Sequence, residues 1–176
     1  YMALHEGDGL EMVVVNIYDV FNEFSSGNPD PTAVKMFMKM LYDRASGNAE
    51  LEPRYLQIIG DGTFRNRNLN RNWKFLMTYQ SLNSLSPTNS YVSDDYFGFL
   101  GDLAGEALGD SMQIGVGRIS CETVSEGRGY LNKLANYMSE NTSSSGDAYC
   151  IGDDALSPFG AWRNDIVFVA DDYDGN

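Results

Sequence analysis

Four short apolar runs constrain this chain more than any other feature. They lie at residues 12–15, 55–59, 112–116 and 166–170, are rich in valine and isoleucine, and lack clean apolar/polar alternation. Strands covered on both faces read this way. Parallel neighbours cannot be joined by a tight turn, so such strands require helical crossovers between them. Between the first two runs, Asp30 can cap a helix, Pro31 suits its first turn, and Val34, Phe37, Met38 and Leu41 recur at helical spacing until Gly47 stops the pattern. The spacing predicts a helix over 31–46. Between the last two runs, Val124, Leu131, Leu134, Ala135 and Met138 share one face and predict a second helix over 122–139. Gly127 and Gly129 weaken its first turns by about 1 kcal/mol each. The expected class is therefore α/β, with a mainly parallel four-stranded core sheet and flanking helices. Residues 61–111 interrupt that rhythm with Trp73, Phe75, Tyr79, Tyr91, Tyr96, Phe97 and Phe99. They read as an aromatic-rich excursion carrying one or two short strands, and residues 142–146 read as a solvated loop.

The chain has 176 residues, of which 43% are hydrophobic and 21% charged, which suits one folded domain able to build a core without metals or disulfides. Twenty-five acidic residues against twelve basic ones leave a net charge of −13, which repels any polyphosphate backbone, so nucleic acid is not an expected partner. No apolar run approaches the roughly 20 residues needed to span a bilayer. No basic stretch followed by an apolar one marks the N-terminal residues, so no signal peptide is expected, and a chain starting at Tyr1 reads as a piece of something longer. Cys121 and Cys150 permit at most one disulfide.

Ligands of open α/β sheets bind beyond the carboxyl ends of the strands. Asp19, Gly60-Asp61-Gly62, Gly117-Arg118 and Asp171-Asp172 follow the four runs and gather carboxylates and one arginine at that edge. A calcium site or a substrate cleft would suit crowded like charges. The plainer reading has Asp61 and Asp172 tying down turns, with Arg118 paired to one of them. Asp172-Tyr173-Asp174-Gly175-Asn176 resembles the opening of a calcium loop, so Asp171, Asp172 and Asp174 are the candidate metal ligands; a polar turn after a strand is the alternative. Gly60-Asp61-Gly62 and Gly115-Val116-Gly117 do not extend to a dinucleotide fingerprint, and Asp61 would repel a pyrophosphate. Nucleophilic catalysis needs a thiol or hydroxyl with a base, and the chain has one histidine, His5, in a polar leader. Cys121 sits near an expected helix start, where the dipole favours a thiolate, yet it also reads as a small packing residue. No cysteine and histidine spacing suits zinc, and the aromatics around Trp73 and Tyr96 read as core or interface. No catalytic residue is assigned.

The segment Ile17-Tyr18-Asp19-Val20-Phe21-Asn22-Glu23-Phe24-Ser25-Ser26-Gly27, continuing through Asp30-Pro31-Thr32-Ala33, resembles the gingipain family of cysteine peptidases. Five further pieces follow in the family's order: Tyr55 to Gly62, Thr78 to Ser84, Ser93 to Gly98, Ile114 to Ile119, and Trp162-Arg163-Asn164 leading into Phe168-Val169-Ala170-Asp171-Asp172. Within the family they resemble the cell-surface sortases of type IX secretion. The resemblance implies a caspase-like α/β peptidase domain of two side-by-side subdomains, with residues 1–176 as the first, non-catalytic one. The family's catalytic histidine and cysteine would then lie in the second subdomain, downstream of the Ala-Asp-Asp segment. No catalytic residue carries over, because Cys121 in Gly117-Arg118-Ile119-Ser120-Cys121 does not match the catalytic context. The implied partners are that downstream catalytic subdomain, secreted protein cargo and type IX secretion components. The implied location is extracellular or at the outer-membrane cell surface. The implied chemistry of the parent is thiolate attack on a peptide carbonyl followed by acyl transfer to water or an amine. A non-catalytic peptidase-like binding module and a broad extracellular cysteine protease of the same family are the alternatives.

Overall fold

The computed structural model describes residues 1–5, 7, 9–63, 75–81, 90–102, 104–105, 110–138 and 166–168. The chain divides into two compact units, Tyr1–Leu131 and Asn132–Asn176.

In the first unit the helix ends are set by local side chains. Asn16 has extended backbone, and its side-chain oxygen accepts from the Tyr18 N–H at 3.0 Å, starting α1 (Ile17–Phe24). Asp30 accepts from the Thr32 N–H at 2.8 Å and begins α2 (Pro31–Ala45), whose first residue is the proline that needs no hydrogen-bond partner there. Ser46, left-handed at φ 52°, ends α2. The two helices bury Val20, Phe21 and Ala33 between them, with Phe24 and Phe37 meeting edge to face at 6.0 Å.

Strand β1 (Tyr55–Ile59) is followed by β2 (Asp61–Thr63), β3 (Phe75–Met77), β4 (Tyr79–Gln80), β5 (Val92–Ser93) and β6 (Gly115–Ile119), with a 3-10 turn at Asp95–Gly98 and α3 at Val124–Met138. β1 pairs in parallel with β6, from Tyr55 opposite Gly115 to Ile59 opposite Ile119. β2 pairs in parallel with β3, and β4 runs antiparallel to β5. Side chains alternate across a strand, so the register partners Leu56 and Val116 share one face of the β1–β6 pair. That face is covered by α2: Met38, Leu100 and Ile114 are buried, and Leu41, Leu56 and Val116 pack around them. On the other face, Tyr55 and Gln57 lie opposite Gly115 and Gly117. A Cβ at residue 115 would come within 2.9 Å of the Tyr55 ring. The glycines of β6 make room for the side chains of its neighbour.

The α/β class and the parallel pairing of the second and third runs match expectation; several details do not. The run at 12–15 is irregular, with Val13 and Val14 exposed to 76% and 80%, because Asn16 commits the chain to α1 and no described strand pairs with it. Strand character depends on neighbours more than on β-branched residues alone. Residues 166–168 likewise carry no strand, with Ile166, Val167 and Phe168 exposed to 76%, 83% and 88%; residues 169–170 lie outside the described residues. Two-stranded sheets thus stand where one four-stranded sheet was expected. The third strand occupies 115–119 rather than 112–116, because the Gln113 side chain accepts from Leu100 and Gly101 N–H while its own N–H donates to the Gly98 carbonyl. Those bonds hold residues 112–114 against the 98–101 loop instead of the ladder. Helix α3 starts at Val124 rather than 122, and the described residues of the aromatic excursion contain four short strands rather than one or two. The expected 142–146 loop lies outside the described residues.

The turn from β1 into β2 depends on Gly60, whose φ of +140° is foreign to side-chain-bearing residues and whose added Cβ would lie 2.9 Å from Leu76 Cδ1. Replacing Gly60 by alanine should therefore destabilise the chain by about 1–3 kcal/mol. Chemical denaturation with an unchanged slope and a lowered midpoint is the expected result; an unshifted midpoint would mean that the turn relaxes freely.

Candidate functional site

β1 and β6 end side by side at Ile59 and Ile119, and their exits are stitched together: Gly60 N–H donates to the Ile119 carbonyl at 3.0 Å and Asp61 N–H to the Cys121 carbonyl at 3.1 Å. An apolar groove of about 560 Å³ opens at this edge. Its walls are Ile17 and Phe21 of α1, Ile59 at the end of β1, Leu76 and Met77 of β3, Cys121 to Val124, and Gly127, Arg128 and Leu131 of α3. The position is the carboxyl edge at which sequence reasoning expected chemistry.

The α3 end of the groove is a capping box. Thr123 Oγ1 accepts from the Glu126 N–H at 3.2 Å, and the Glu126 carboxylate accepts from the N–H groups of Thr123 at 3.1 Å and Glu122 at 2.7 Å. A negative side chain already sits at the positive end of the helix. Cys121 is a free, half-buried thiol on the groove wall, and the helix start beside it is capped by Glu126. His5 is not among the residues of the groove; its ring tilts against Tyr1 with centroids 4.7 Å apart. The groove can receive apolar groups, and among the described residues no histidine lines it beside Cys121.

Arg118, on the face covered by α2, has a different role from either one the sequence suggested. Its Nε and Nη2 donate to the two carboxylate oxygens of Asp94, both at 2.7 Å, while Nη1 donates to the Gly60 carbonyl and Nη2 to the Met77 carbonyl, each at 3.2 Å. Four of the guanidinium's five donors are thus used, and the Arg118 side chain is only 9% exposed and that of Asp94 23%. The expected pairing of Arg118 with Asp61 gives way to Asp94, because Asp61 turns its carboxylate onto the N–H of Gly62 at 3.0 Å, and the alternative partner Asp172 lies outside the described residues. Asp61 therefore ties down its own turn, as the plainer reading held. Asp19 lies exposed in the first turn of α1, where a negative charge suits the helix end. Asp171, Asp172, Asp174 and Cys150 lie outside the described residues, and among the described residues no group of three or more acidic, histidine or cysteine side chains could hold a metal ion.

Tyr96 stacks on Tyr79 with centroids 4.3 Å apart, and the ammonium of Lys35 lies 4.5 Å from its ring centroid while donating to the Ala104 carbonyl. Phe97 beside it is almost wholly buried and belongs to the core, whereas Tyr79 and Tyr96 are half-buried and Tyr91 is exposed; Trp73 lies outside the described residues. Sequence reasoning missed Asp94, Lys35 and the Lys39 cluster. Lys39 reaches Asp102 at 2.9 Å and Asp43 at 3.0 Å. Hydrogen bonds to Asp102 and Asp43 raise the Lys39 pKa, and the bond from Lys39 lowers that of Asp102. Only the Lys39 to Asp43 spacing of four residues was visible beforehand.

The model of peptidase family C25 matches residues 1–176. Among solved structures, the chain is similar to the crystal structure of dimeric latent PorU from Porphyromonas gingivalis, with 36% sequence identity and a TM-score of 0.62. That match covers 77% of this chain and 14% of the PorU chain, so the chain spans only a small part of that protein's length. No curated protein sequence matches it significantly.

The two ion clusters should respond differently to mutation. Asp94→Asn leaves a mostly buried guanidinium without its counter-charge and should destabilise by about 3 kcal/mol or more. Asp102→Asn removes a carboxylate whose side chain is 91% exposed and should leave the melting temperature unchanged within error. Because the Asp102 pKa is lowered from 3.8, whatever its ion pair contributes is present above that value and disappears as pH falls below it. Melting curves of the two variants at pH 7 and pH 3 check this; equal losses at pH 7 would contradict the assignment of Arg118 as the principal tie.

Proposed function

The chain belongs to peptidase family C25, the gingipain family of cysteine peptidases, and from that premise we propose that residues 1–176 are the N-terminal, non-catalytic subdomain of a type IX secretion sortase that acts at the cell surface. The observation that carries this reading is the match of the whole chain to the family together with its similarity to a small part of PorU. The parent would cleave C-terminal sorting domains from secreted cargo by thiolate attack and pass the acyl group to water or an amine, with histidine and cysteine supplied by the downstream subdomain. The present residues would support that subdomain and the cargo.

The same reading extends the sheet. Within the complete peptidase domain the apolar runs at 12–15 and 166–170 would add strands to a four-stranded, mainly parallel core, because parallel neighbours are joined by right-handed helical crossovers. A secondary proposal is a calcium ion held by Asp171, Asp172 and Asp174, which crowded carboxylates favour.

Two measurements test these readings. Peptides carrying a sorting-domain junction are offered to the chain alone and to a longer form that continues past Asn176, each with and without Cys121→Ala. No turnover by the short chain and turnover by the long one that survives the substitution is the expected pattern. Turnover by the short chain that Cys121→Ala abolishes would relocate the active site to the groove, and cleavage of unrelated peptides by the long form would favour the broad protease. For the metal, millimolar Ca²⁺ should raise the melting temperature above a Mg²⁺ control. No difference between the two ions would leave the acidic run as a polar turn.

A further inference from the structure

We draw no further inference here: the strongest candidate, the apolar groove of about 560 Å³ at the carboxyl edge of β1 with the lone thiol of Cys121 on its wall, carries nothing because no observation in the structure shows what covers it.

Discussion

The described fold depends on one buried ion pair. Three two-stranded sheets of two to five residues per strand are each too small to persist alone in water. Arg118 extends from β6 and joins them: it grips Asp94 beside β5, the Gly60 carbonyl between β1 and β2, and the Met77 carbonyl at the end of β3. Lysine could supply the charge but not the planar fork that meets both carboxylate oxygens at once. Desolvating such a pair offsets much of its attraction, so its contribution lies in fixing one arrangement of the strands and in the penalty for leaving either charge alone.

Around that tie the packing forms two layers. Helix α2 lies across Leu56 and Val116 with Met38 and Leu41, while its other contacts, through Ala33 and Phe37, reach α1. The strand exits then converge on the apolar groove, whose position suits a ligand edge. Glu126 caps the helix end that follows Cys121. An arginine at the same strand end is spent on structure.

Much of this was legible in the sequence wherever the determinant is local. Asp30-Pro31 and the stop after Ala45 locate α2 to within a residue because the cap and the left-handed turn involve near neighbours. The Thr123-x-x-Glu126 box was equally local and would have placed the start of α3 at Val124. What escaped is non-local. Asp94 is 24 residues from Arg118, and nothing in the spacing distinguishes it from Asp61. Gly115 and Gly117 hid β6 by removing apolar residues where Tyr55 and Gln57 needed room, so the pattern drew the strand three residues early. The runs at 12–15 and 166–168 have strand composition, but pairing requires a partner, and none of the described residues supplies one.

On the proposed reading, the chemistry of the parent protein would reside downstream of residues 1–176. The most direct measurement is covalent labelling of the whole parent protein with a peptide-directed, thiol-reactive electrophile, followed by mass-spectrometric identification of the modified cysteine. The account predicts stoichiometric labelling at a cysteine beyond Asn176, with Cys121 unmodified. Preferential labelling of Cys121, with loss of activity in proportion, would contradict it.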